Sequence, residues 1–484
     1  MHTTIFTGKN RLLTQMLVAA LLAATLLFTS CASAPAARDG DDFASRQLQT
    51  IEQYTLDNGV PVIIKKNPAN RVYSLKLAYA GGVRMITPAE AGIEGVTLAL
   101  MSRGSESYDF NTIMGMAYTM SSGISSGASG YDYASFDLNT IDKYWDTMFA
   151  VYADCIMNPA FDETEFEQLK SEILIGLQDE AQDPYSVAVD HINSVFFAGH
   201  PYEADFGGTI ESISNLTLDQ VRRYHAEKLG ADRMVVVAVG NFDSDQLLAD
   251  LNATIGTIGK TGVKPADLPP VPAKTDLILL PFEQSEGIAY VRANYSIVDV
   301  TEPDFVVLQL AYSMLNELLF DIVRTEHGAC YSVWSNAHGF DSTYGSLVVY
   351  KTDQPESVKL WVDEAIALMA SGKSKNITGS EGDIAAIADT LEAYKAKYIN
   401  GFFSQQQTNA QMAAQLASSH IYFGDHTEYL RLIEKINAIT PDDIVRAMNS
   451  YVVGAPMTWI VVGPTPMLET VDKAMFMEFT GTVE

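Results

Sequence analysis

Apolar residues recur with two different periods along residues 60–138. The runs VPVIIKK (60–66) and VYSLKLAYA (72–80) are rich in β-branched and aromatic residues and predict strands. Residues 88–103 and 111–120 return an apolar side chain every three or four positions and predict helices, and 131–138 predicts another strand. Several helices follow. Beyond residue 275 the order restarts with the strand-like runs LILLPF and IAYVRANYSI. Strands close in sequence, interleaved with amphipathic helices, predict an α+β fold in which a mainly antiparallel sheet carries helices on one side.

The restart is a repeat. LTLDQVRRYHAEKLGADRMVVVAVGNFD, beginning at Leu216, has a second copy in ITPDDIVRAMNSYVVGAPMTWIVVGPTP, beginning at Ile439. Leu216 and Ile439, Met234 and Met457, and Gly240 and Gly463 are each 223 positions apart. Each copy reads as a Thr N-cap, a helix with Asp in its first turn, a short loop, and a strand ending at Gly. A Pro-rich stretch, VKPADLPPVPAKT, marks the break between copies. The predicted organisation is two homologous domains, 49–262 and 276–484, joined by a linker at 263–275.

The N-terminus has another pattern. Lys9 and Arg11 precede LLTQMLVAALLAATLLFTSC, the charged and apolar regions of an export signal. Its end, Phe28-Thr29-Ser30-Cys31, resembles a bacterial lipobox, with Phe28 in place of the usual Leu. Residues 1–30 are therefore expected to be a lipoprotein signal peptide, Cys31 the lipidated residue, and 31–48 a flexible tether. The competing reading is an uncleaved signal anchor with an incidental cysteine. The expected location is the bacterial cell envelope, facing the periplasm. Ala32, where Asp would favour retention at the inner membrane, points to the outer one.

Composition removes some function classes. With 31 Lys and Arg against 60 Asp and Glu the formal charge is −29, which leaves no basic surface for nucleic acid. Cys155 and Cys330 form no CxxC or zinc pattern and read as buried thiols. None of His2, His191, His200, His225, His327, His338, His420 and His426 forms an i, i+4 pair. His200 and His225 read as locally hydrogen-bonded residues, and Glu94 as a solvated surface charge.

LDNGVPVIIKK, LKLAYAGGVR, AGIEGVTLALMSRGS, AGHPYEADFGGTIESISNLTLDQVRRYH, MVVVAVGNFD, LLFDIVRTEHGACYSVWS and YGSLVVYKTD occur in that order, and together they resemble the M16 (pitrilysin/insulinase) peptidases. The resemblance covers essentially the whole chain after the leader. It implies the M16-type fold of two homologous α+β domains. In active members a helix carries H-x-x-E-H, whose two His bind zinc while Glu activates water. On this chain those three positions are Gly95, Leu98 and Ala99, and the third ligand, a Glu shortly before the Asp183-Pro184 turn, falls on Gly176. None can bind a metal or move a proton.

The family's other functional pair is present. Arg324 and Tyr331, seven residues apart across a Gly-containing turn, occupy the positions of its substrate-binding Arg and Tyr. An Arg fork and a phenolic hydroxyl can hold a peptide carbonyl and stabilise an oxyanion. Read without the family, Arg324 is a helix-end cation paired with a nearby acid and Tyr331 a strand aromatic. Some bacterial members are heterodimers in which a subunit without the zinc motif lends Arg and Tyr to its partner. The resemblance thus implies a non-catalytic, lipid-anchored subunit with no cofactor of its own. Its expected partners are a zinc-bearing M16-type subunit, a peptide substrate and the membrane. The alternatives are a peptide-binding or assembly protein with no proteolytic complex, and a zinc metalloendopeptidase in its own right.

Overall fold

The structure is a computed structural model that describes residues 40–379 and 383–482. The expected signal peptide, Cys31 and most of the expected tether lie outside the described residues. The chain divides into two compact units, Met1–Gln47 and Leu48–Glu484. In the tether region a helix runs over Gly40–Leu48, where a flexible segment is expected. Arg46 stands in its last turn, where a cation suits the helix dipole.

The second unit holds two sheets. The first contains β1 (Ile51–Thr55), β2 (Pro61–Lys66), β3 (Val72–Ala80), β4 (Gly123–Ser129), β5 (Tyr133–Ile141) and β6 (Met234–Gly240) in the order β1-β2-β6-β3-β5-β4. The other contains β7 (Asp276–Pro281), β8 (Ala289–Ser296), β9 (Cys330–His338), β10 (Tyr344–Thr352) and β13 (Met457–Gly463) in the order β7-β13-β8-β10-β9. A short pair, β11 (Lys373–Lys375) and β12 (Ile384–Ala386), stands apart. Leaving out β1, the two orders are the same. In each, one neighbouring pair is parallel, β2 with β6 and β7 with β13, and the rest are antiparallel.

The repeat explains the match. β6 and β13 keep the 223-residue offset at both ends, and every residue of both is buried, so their apolar runs are continuous rather than alternating. The helices before them, Leu218–Lys228 and Pro441–Tyr451, start at Thr217 and Thr440, whose hydroxyls accept from the N–H groups of Gln220 and Asp443 in capping boxes.

Each sheet packs its own cluster. Helices α1 (Ile93–Met101), α2 (Trp145–Met157) and α3 (Glu163–Glu180) cover the first through Val96, Leu98, Met148, Tyr152 and Phe166 against Leu77, Phe136 and Val236. The helix predicted over 88–103 is broken, because Gly92 adopts a φ of +82° and a Cβ there would lie 2.8 Å from the Gly208 Cα.

The halves also exchange helices. Helix α4 (Pro184–Phe196), from the first half, lies on β8 and β13, where Ala188 and Ile192 meet Ile460 and Val462. Helix α5 (Leu218–Lys228) packs on α1. In the second half α6 (Pro303–Leu319) is the core helix, buried through Leu308, Leu315 and Leu318. Pro303–Glu326 is long and apolar enough to cross a membrane, yet 72% of its most apolar window is buried in this core. Helix α7 (Asn409–Phe423) lies back on β3 and β6 of the first sheet. There the buried Asn409 donates to Val72 O at 2.6 Å and accepts from Asn67 Nδ2 at 2.7 Å.

Candidate functional site

Helix α1 is buried at every position except Gly95 and Ala99, which stay partly exposed. Four residues apart, they share a helix face. This is where a metal-binding pair would stand, and it carries a hydrogen atom and a methyl group. A Cβ on Gly95 would lie 3.5 Å from Ser129 Oγ on β4 and 3.8 Å from Phe206 O, so a side chain has room to start there. Leu98 is fully buried in the first core. Gly176, on α3, is exposed with no atom within 4 Å of where its Cβ would be. Zinc needs nitrogen, sulfur or oxygen donors, and these four residues offer no side-chain donor, so they do not fit the ion. Among the described residues no group of three or more His, Cys, Asp or Glu side chains could hold a metal elsewhere.

A cavity of about 610 Å³ lies on the other side of Phe206, lined also by Leu177, by Ile210, and by the acids Glu180, Asp190 and Asp205. Burial, then the charges of Asp205 and Glu180, push the Asp190 carboxyl up to about 6.

Glu94 is not the solvated charge its surface-helix position suggests. It is buried, and its Oε1 accepts from Arg233 Nη2 at 2.7 Å and from Tyr224 OH at 3.0 Å. Arg233 also donates to Ala80 O at 2.6 Å and Lys228 O at 2.8 Å. Burial opposes the Arg233 cation, but Glu94 and Tyr224 outweigh it and hold its pKa above the usual value. The group ties α1 to α5 and β3. It is structural, and its signal, a lone acid in an otherwise apolar helix, is ambiguous until the partner is known.

Arg324 and Tyr331 are brought together. Beyond α6 the chain widens into a π-helical turn, Phe320–Glu326, closed by His327 N to Ile322 O at 3.2 Å and Ala329 N to Val323 O at 3.0 Å. Gly328 then takes a φ of +61° and sends the chain into β9. Arg324 Nη1 donates to Tyr331 O, and its guanidinium lies 5.0 Å from the Phe320 ring centroid and 5.2 Å from that of Tyr331. Among the described residues no carboxylate pairs with Arg324, so the helix-end ion pair does not form. Tyr331 is 64% exposed, and no described residue bonds its hydroxyl. β9 is an edge strand. Asn316 on α6 covers part of that edge, accepting from Ser335 N at 2.6 Å and donating to Ser335 O at 3.1 Å.

The remaining candidates are quiet. His200 bonds Tyr202 N at 3.1 Å and Pro269 O at 2.9 Å, and burial lowers its pKa. His225 bonds Ile156 O at 3.3 Å. Both cysteines are free. Cys155 is buried, which pushes its thiol up to about 12, whereas Cys330, expected to be buried, is only partly so. An aromatic cluster beside Tyr331, made of Tyr185, Tyr290, Trp334 and Tyr350, escapes sequence reading because its members come from both halves.

Two matched α+β halves that exchange helices thus carry a helix face without donor side chains at Gly95 and Ala99 and an assembled Arg324–Tyr331 pair. Comparison with known proteins agrees. Residues 215–383 match the peptidase M16 inactive domain. An uncharacterized zinc protease of Bacillus subtilis is 22% identical over 80% of this chain and 92% of its own. The mitochondrial-processing peptidase subunit beta of Dictyostelium discoideum is 20% identical over 65% of this chain and 68% of its own. A peptidase M16 inactive domain from Pseudomonas fluorescens has the same fold, with a TM-score of 0.75 at 19% identity over 86% of this chain and 98% of its own. The chain is thus similar to M16 peptidases over most of its length, with the family's inactive domain matched in its middle third.

Proposed function

We propose that this chain is a non-catalytic M16 subunit that binds peptide and completes the active site of a zinc-bearing partner. One observation carries the reading. The four ligand and base positions carry no donor, while Arg324 and Tyr331 are held together and, among the described residues, no acid neutralises the guanidinium. An Arg fork and an exposed phenol beside an edge strand suit a peptide carbonyl and the charge that develops on it during cleavage. The proton transfer and the metal belong to the partner. That a relative is named as one subunit of a processing peptidase supports an assembly of unlike chains. The lipid anchor at Cys31 and a periplasm-facing site, at the outer membrane, complete the proposal.

A second reading, an assembly protein without proteolysis, is supported by a Candida albicans relative named as a cytochrome b-c1 complex subunit, 28% identical over 46% of this chain. Co-purification separates the two. The first predicts that an M16 chain of similar size carrying H-x-x-E-H comes down with this one and that the pair cleaves peptides. Partners without that motif, and no cleavage, would favour the second. The third reading, a zinc endopeptidase acting alone, requires about one zinc per purified chain by elemental analysis.

A further inference from the structure

Arg292, in the middle of β8, is a buried cation without an anion. It is 7% exposed, and its strand neighbours opposite are Val348 and Ile460. Its Nε donates to Asn294 Oδ1 at 3.1 Å and its Nη1 to Tyr185 OH at 3.4 Å, both neutral acceptors. Among the described residues Nη2 has no acceptor, no carboxylate pairs with the guanidinium, and no aromatic ring lies over it at cation–π range. Asp183 borders the same wall, where its charge is felt at Tyr290, but makes no ion pair with Arg292. His338 feels the same guanidinium and stays neutral, since burial and then Arg292 push its pKa down to about 3.

A guanidinium held this way has given up most of its water for neutral acceptors, which return only part of that loss, while its unbonded Nη2 is not sealed off and remains open to an incoming anion. In a chain with 60 acids to 31 basic residues, an acid could have been placed opposite at little cost in composition. The shell over Arg292 is not sealed. Tyr185, Trp334 and Tyr350 are each partly exposed, and their rings touch edge to face, Tyr185 with Tyr350 at 5.3 Å and with Trp334 at 6.1 Å. Tyr350 in turn lies 6.3 Å from Tyr331, which joins this wall to the Arg324–Tyr331 pair. Lys351, next to Tyr350, takes a φ of +59° where the β10 register shifts, so the backbone is strained at the mouth of the wall.

We infer that Arg292 is a carboxylate-binding residue that selects peptides carrying an acidic side chain or a free C-terminus, an inference that rests on the peptide-binding reading above. The carboxylate would replace Arg292's missing anion and accept from Nη2, while the aromatic rings cover its stem. From Tyr331 the wall spans about three to five residues of extended chain, which sets how far the acid stands from the bond held at Tyr331.

The test measures binding of fluorescent ten-residue peptides to the full purified chain, with any co-purifying partner retained. Each peptide has a neutral background and one Glu at a successive position, paired with a Gln twin, and one pair differs only in a free or amidated C-terminus. The expected result is that Glu at one or two adjacent positions, or the free terminus, binds about 10- to 100-fold tighter than its twin, with Arg292→Gln removing the preference. Because Arg292→Gln also leaves Asn294 and Tyr185 without a donor, the twin comparison on the natural chain is decisive should that variant fail to fold. Equal binding of every twin pair overturns the role of Arg292 while leaving peptide binding intact. A preference that survives Arg292→Gln assigns it to another residue and also overturns the inference. Binding of no peptide at all overturns the peptide-binding reading and this inference with it.

Discussion

At Leu98 and Ala99, neighbouring positions of one motif have different surroundings. Leu98 is fully buried among apolar side chains, whereas Ala99, beside Gly95, is only partly buried at the edge of the same core. Leu98→Glu therefore removes core packing and buries a carboxylate, and should destabilise the chain by about 3 kcal/mol or more, seen as a lower denaturation midpoint. Gly95→His with Ala99→His should cost far less stability, since both sites are partly exposed and Gly is the poorer helix former. That pair should also gain weak zinc binding that the natural chain lacks, read by titration with the metal. A comparable loss of stability in both variants would contradict this reading of the helix face. The residue types at Gly95, Leu98, Ala99 and Gly176 are read directly from the sequence, whereas the burial that separates Leu98 from Ala99 is not. Nor is the role of Arg292 legible there, because an isolated Arg in a strand looks the same whether its partner is an acid, a phenol or nothing.

Elements show the same division. The central strands and the repeat were legible because β6 and β13 are buried on both faces and leave continuous apolar runs. β1 and β4 were missed. Both are sheet edges, and GISSGAS has almost no apolar period of its own, its pairing with β5 slipping between Ser126 and Ser129. The break in the first helix was missed as well, since the conformation of Gly92 is imposed by the close approach of Gly208. The tie between α1, α5 and β3 gives a prediction at this scale. Arg233→Met strands Glu94 with only Tyr224 and should cost about 3 to 5 kcal/mol in chemical denaturation. Adding Glu94→Leu to it should recover much of that loss. No recovery in the double variant would mean that Arg233 acts through its backbone contacts to Ala80 and Lys228 instead.

Across the whole second unit, the two halves meet at a buried acidic clasp. Asp132 accepts from Tyr202 OH and from Asp341 N at 3.1 Å, while Arg84 donates to Asp341 and stands 3.8 Å from Asp132. Tyr422 faces it from α7. Burial dominates, Tyr202 pulls the other way, and the Asp132 carboxyl ends at about 6 rather than 3.8. Because the folded pKa is the higher one, the folded state binds this proton more tightly. The stabilisation is present below about pH 4 and is lost as pH rises through 6, on the order of 3 kcal/mol. Asp132→Asn should flatten that limb of the stability profile between pH 4 and 6, and an unchanged limb would assign it to another group. Cys31→Ser should abolish lipid labelling and release the protein from the membrane, and labelling that persists would place the anchor elsewhere. The central claim, that this chain completes a partner's site, is tested most directly by turnover of the co-purified pair with Tyr331→Phe in this chain, alongside assembly and zinc content. Deleting one hydroxyl that stabilises an oxyanion should lower the rate about 100- to 1000-fold with assembly and zinc unchanged. A natural rate from a fully assembled, zinc-loaded pair would contradict it.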